Sequence, residues 1–235
     1  MKLFIFNEDA RDRKNNGTFP RMSPIEVVQK DFLLNKEKIF NDFFPENVFF
    51  SPLIPKYLGD NPSKIIQSIA DLHTWTEREP KGLMYVVSEK LKDLLSRFNL
   101  APHRFYAAQV LFENQLIEYY VFHITSNYYE QIIDFKNSTF CNWSFIKKIK
   151  LGDENIKVNS INEIYKISEE KDWDKWGFNK AALKPEFNDL DLCWFTNLGI
   201  IISEKLKNAI ESADLTGIEI TECPVEFEVS IDSDE

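Results

Sequence analysis

Leu91, Leu94, Leu95 and Phe98 recur at i, i+3, i+4 and i+7, the one-sided apolar stripe of an amphipathic helix. The same spacing returns at Leu206, Ala209, Ile210 and Ala213. Both stripes begin in an identical pentapeptide, Ser88-Glu89-Lys90-Leu91-Lys92 and Ser203-Glu204-Lys205-Leu206-Lys207, an offset of 115 positions (203 minus 88). The match runs without a gap from Leu83–Glu113 onto Leu198–Glu228, and ten of the 31 aligned pairs are identical. A short run rich in β-branched residues precedes each helix, Leu83–Val87 and Leu198–Ile202, and reads as a strand. Ser88 and Ser203 stand at the N-cap, with Glu89 and Glu204 favourably placed in the first turn. A second strand-like run ending in Val-x-Phe follows each helix. The pattern therefore predicts a strand–helix–strand unit twice, at residues 83–113 and 198–228.

Elsewhere the pattern is more irregular. Leu3–Phe6 reads as an opening strand, and Ser23-Pro24 as the start of a helix over Ile25–Asn35. Ile39–Phe44 is a second apolar stretch. Val48–Pro55 is broken by two prolines, which restrict it to an extended path along an edge or across the core. Pro62–His73 fits helix or strand, and Trp75–Pro80 a polar connection. The second strand of the first unit spans about Phe105–Phe112, and Glu113-Asn114-Gln115 forms a short hairpin loop into Ile117–Ile124. Tyr128–Phe135 and Trp143–Lys150 are strand candidates, and Gly152–Asn155 a turn. Ser160 opens a helix to about Glu170, with Glu163 at the capping-box position. No linker rich in Pro, Gly or Ser interrupts the chain. The expected fold is one α+β body over residues 1–235, with a mixed or antiparallel sheet and the internal duplication.

A chain of 235 residues with 43% apolar content can bury a substantial core. Its net charge of −10 disfavours nucleic acid and anionic membranes as partners, and leaves a basic protein as the charge-matched one. Cys141, Cys193 and Cys223 are widely spaced and odd in number, which reads as reduced thiols. The first residues carry too short an apolar run for a signal peptide, and no run of about 18 apolar residues is present. A cytoplasmic protein is expected.

Candidate chemistry is sparse. The chain contains no dinucleotide-binding, phosphate-loop, zinc-protease or nucleophile-elbow motif. His73, His103 and His123 are far apart in sequence; His123 sits in an apolar strand and reads as a packed residue. No His/Cys/Asp cluster has metal-ligand spacing, and no cofactor is implied. A carboxylate-based hydrolase or a Cys–His nucleophile pair remains an alternative, because such partners meet only in space. A protein-binding scaffold is another. Lys147–Lys150 is a small basic spot, read as a solvated strand end. The segment Asp172-Trp173-Asp174-Lys175-Trp176 stands out, since a helical turn would put both tryptophans on one face amid acids. Aromatic anchors ringed by carboxylates suit a basic partner surface. Asp172, Trp173, Asp174 and Trp176 are thus the candidate partner-binding residues. Asp189, Asp191 and the acidic run from Glu219 to Glu235 come second.

Val87–Lys92, His103–Tyr106, Ile133–Phe140, Ile202–Lys207 and Thr216–Glu219, together with Asn47–Leu58 upstream, resemble a bacterial immunity-protein family. Its members are cognate inhibitors of polymorphic toxins, the group numbered eleven or forty-three and formerly a domain of unknown function. The likeness spans about Phe40 to Glu219. It implies a cytosolic non-enzyme that neutralises one secreted toxin by stoichiometric binding, and it carries no catalytic residues. Many such toxins are nucleases with basic surfaces, to which an acidic inhibitor would be steered.

Overall fold

The computed structural model describes residues 1–9, 21–23, 43, 52–56, 69–74, 84–125, 128–144, 147 and 149–230. Expectations for Ile25–Asn35 and Trp75–Pro80, and for Ile39–Phe44 apart from Phe43, lie outside them. The strands are β1 Leu3–Glu8, β2 Arg21–Ser23, β3 Ile54–Lys56, β4 Leu72–Thr74, β5 Met84–Ser88, β6 His103–Phe112 and β7 Gln115–Ile124. They continue as β8 Thr139–Ser144, β9 Ile149–Ile156, β10 Trp176–Leu183, β11 Leu192–Phe195, β12 Gly199–Ser203, β13 Ile218–Glu222 and β14 Glu226–Val229. The α-helices are α1 Glu89–Leu95, α2 Tyr128–Ile132, α3 Ile161–Glu170 and α4 Glu204–Ser212. The protein is a single α+β body with antiparallel and mixed sheets.

The duplicated units fold alike, and their likeness is deeper than the sequence shows. One sheet has the order β4-β5-β7-β6 and another β11-β12-β1-β13. Val87 pairs with Tyr120 and Tyr120 with Ala107; 115 positions on, Ile202 pairs with Phe4 and Phe4 with Glu222. Strand β1 thus occupies, in the second unit, the place that β7 holds in the first. The second unit is the first with its last strand supplied from the start of the chain.

The physical cause lies where the copies part. After Phe112 the chain turns at Glu113-Asn114, both at positive φ, and runs back as β7. Pro224 stands where the first copy has Gln109, and a proline cannot donate to a ladder. The expected single strand ending in Val-x-Phe is therefore two, β13 and β14. Strand β14 leaves to pair in parallel with β10, at the edge of the sheet β14-β10-β8-β9.

The central core gathers Tyr85, Val87, Leu91, Leu94, Leu95 and Phe122 from one unit with Phe4, Phe6, Ile200, Ile202, Leu206 and Ile210 from the other. The opposite face of β12 contributes Ile201 to a second core, with Phe140, Trp143, Trp176, Phe178, Phe195 and Phe227. Val86, Tyr106, Val110 and Val121 close a third over Leu53. Leu53 lies along the edge of β6, donating to the Gln109 carbonyl and accepting from Leu111, as the two prolines around it require.

Three local expectations change. Tyr128–Phe135 is not a strand: Tyr129, Ile132 and Ile133 are buried at i, i+3 and i+4, and Tyr128–Ile132 is helical. Trp143–Lys150 is divided between β8 and β9. Gly152–Asn155 is no separate turn but a bulge within β9, because Asn142 pairs with Leu151 while Phe140 pairs with Ile156. No helix among the described residues is long and apolar enough to cross a membrane.

Candidate functional site

Helix α3 begins as its sequence dictates. The Ser160 hydroxyl accepts from the Glu163 N–H at 3.4 Å, and the Glu163 carboxylate accepts from the Asn159 N–H at 2.9 Å. Its other end sets the site. Asp172 adopts φ 51°, and its N–H donates to the Glu169 carbonyl while the Trp173 N–H donates to the Ser168 carbonyl at 3.0 Å. This is a Schellman closure with aspartate in the left-handed position usually held by glycine. The expected helical turn from Trp173 to Trp176 is thereby excluded: the helix ends at Glu170, and Trp176 already belongs to β10.

The two tryptophans nonetheless converge on one cleft of about 620 Å³. Its lining comprises Tyr165, Ser168, Glu169 and Asp172–Trp176 from the end of α3 and the start of β10. Thr196 and Asn197 join them from the β11–β12 turn. Trp176 is only 4% exposed, with its ring edge-on to Tyr165 at 5.9 Å and against Phe140 and Phe178 on the core side. Behind it the backbone passes Trp143 so closely that a Cβ on Gly177 would come within 2.8 Å of that ring. Asn197, at φ 64°, donates its side-chain amide to the Trp176 carbonyl and ties the turn to the cleft floor. Trp173 is half-buried against the same core, while Glu169, Asp172, Asp174 and Lys175 are exposed around the opening.

The structure thus brings together Asp172, Trp173, Asp174 and Trp176, with Trp176 as a core anchor that forms the wall. Asp189 is exposed but does not line the cleft. Asp191 is removed from any partner surface: it is 4% exposed and accepts from the Ser203 hydroxyl at 2.7 Å, the Asn99 N–H at 3.1 Å and the Lys205 ammonium at 3.2 Å. The part of the acidic run that is described lies in β13, β14 and the residues joining them, where Glu228 pairs with Lys180.

Sequence reasoning missed Tyr165, Glu169, Thr196 and Asn197. Tyr165 and Glu169 carried a legible signal, since residues four apart share a helix face. Thr196 and Asn197 reach the cleft only through the packing of β11–β12 beside β10.

The three thiols form no disulfide, and burial pushes Cys141 and Cys223 up to about 11 and Cys193 higher still. A thiolate nucleophile at neutral pH is thereby disfavoured. His73 and His123 are buried; the His103 ring meets the Ala101 carbonyl at 2.9 Å. Among the described residues, no group of three His, Cys, Asp or Glu side chains is placed to hold a metal ion.

Fold and cleft together define a duplicated α+β protein with an acidic, aromatic-walled recess. No protein-family model matches the chain, and no curated protein matches its sequence.

Proposed function

We propose that this chain is an immunity protein, a stoichiometric inhibitor that acts in the cytoplasm by binding one secreted bacterial toxin and occluding it without catalysis. The carrying observation is the cleft, which gathers the segment Asp172–Trp176 with Tyr165 and Glu169 into an aromatic recess rimmed by carboxylates. Buried aromatic anchors with a polar rim are the usual energetic centre of a protein interface. The net charge of −10 steers a basic partner toward the chain, and a nuclease with a nucleic-acid-binding surface is the toxin class that fits. The resemblance to the immunity family supports the same reading.

The test is co-purification with the product of the adjacent upstream gene, followed by calorimetry on the pair. We expect a 1:1 complex of about nanomolar affinity, weakening as salt rises from low to physiological strength. Absence of a complex would remove the reading, and an affinity indifferent to salt would remove the electrostatic part of it.

A further inference from the structure

We infer that the cleft at the end of α3 is a guanidinium trap that takes one arginine side chain of the protein partner; the choice of occupant rests on the partner-binding reading above. Its walls are aromatic: Tyr165, Trp173 and Trp176 border the recess, the exposed Tyr165 and half-buried Trp173 rings being the accessible ones, while Trp176, 4% exposed and at 86° to the Tyr165 ring, lies behind them. A cation over such faces is attracted by the ring quadrupole, most strongly by tryptophan. Around the opening stand the carboxylates of Glu169, Asp172 and Asp174 against the single ammonium of Lys175. Among the described residues, none of these three carboxylates is held in an ion pair or a side-chain hydrogen bond; nearby Lys171 is taken by Glu154 and Lys166 by Glu170. The recess therefore presents uncompensated negative charge over aromatic walls, which repels an anion and leaves a neutral ligand without a partner for the acids. Arginine satisfies both features at once, since its planar group stacks on a ring while its N–H fork meets carboxylates. About 620 Å³ accommodates that side chain together with its flanking backbone.

The test follows the indole N–H signals of Trp173 and Trp176 by NMR while acetyl-Gly-Arg-Gly-amide is added. The citrulline peptide serves as the neutral isostere. We expect saturable shifts at both indoles with a midpoint on the order of millimolar, and binding of the citrulline peptide at least about tenfold weaker. A double variant, Asp172→Gly with Asp174→Asn, removes two carboxylates while glycine suits φ 51° at position 172, so the fold is retained. It should weaken arginine binding by about tenfold or more. Equal binding of both peptides, absence of a saturable shift, or an unaffected double variant would each overturn the trap. The two readings separate cleanly. A toxin bound equally by the native protein and the double variant eliminates the trap and leaves the immunity proposal standing. Specific arginine binding by a chain with no toxin partner does the reverse.

Discussion

The serines and lysines of the repeated pentapeptide have definite partners, and those of the serines and of the second lysines correspond between copies. Ser88 caps α1 by accepting from the Leu91 N–H, and its hydroxyl donates to Asp71 at 2.6 Å. Ser203 does the same for α4 with Leu206 and Asp191. Lys92 lies 4.4 Å from the Tyr120 ring in β7, and Lys207 lies 5.0 Å from the Phe4 ring in β1, the equivalent strand. Lys90 and Lys205 reach across instead, to the Asp214 carbonyl and the Phe98 ring of the opposite unit. The aspartates complete the exchange: Asp71 accepts from the Thr216 N–H of the second unit, and Asp191 from the Asn99 N–H of the first. Beside Asp71 sits His73, whose pKa burial lowers to about 4 against the opposing effects of the Ala70 carbonyl and the Asp71 charge. Because the folded value lies below the ordinary 6.5, the unfolded chain takes up the proton first. This contribution to stability is complete above pH 6.5 and declines as the pH falls toward 4, by about 3 kcal/mol in all. Urea unfolding of the native protein and His73→Leu between pH 7.5 and 4.5 measures it. The native protein should lose more stability than the variant over that range, and parallel profiles would refute the assignment.

At the level of elements, matched caps predict matched energies. Ser88→Ala and Ser203→Ala each remove the acceptor for an N-terminal N–H and the donor to a buried or half-buried aspartate, and each should cost about 1–2 kcal/mol by thermal or urea denaturation. A large cost at one serine and none at the other would show that the copies have diverged in energy while keeping their geometry. The helices α1, α3 and α4 were legible because each combines a serine cap with a 3.6-residue stripe. The β6–β7 hairpin was legible from its short polar turn. Helix α2 was not: five residues give one turn of periodicity, and Tyr, Ile and Phe favour strands elsewhere. The aspartate clamps were hidden for a different reason. The Asp-Leu pair at 71–72 recurs at 191–192, an offset of 120 (191 minus 71), five residues out of step with the rest of the repeat.

Across the whole molecule the two units share one core and exchange a clamp in each direction, so neither buries its own apolar face alone. Unfolding should therefore be a single transition, with tryptophan fluorescence and far-ultraviolet circular dichroism giving coincident urea midpoints. Two resolved transitions would mean that the units are energetically independent. Strand β1 is central to its sheet, between β12 and β13, so substitutions at Phe4 or Phe6 should lower that common midpoint rather than split it.

The duplication, the three longer helices, the β6–β7 hairpin and the acidic charge could all be taken from the sequence. They depend on neighbours within a few turns of chain, or on a repeat written in the residues themselves. Tertiary structure alone decided that β1 completes the second unit, that Asp191 is buried rather than displayed, and that Tyr165, Asn197 and the two tryptophans enclose one recess. Those outcomes depend on contacts between residues tens to hundreds of positions apart. Periodicity along the chain reports which face of an element is apolar; it holds no record of which other element that face will meet.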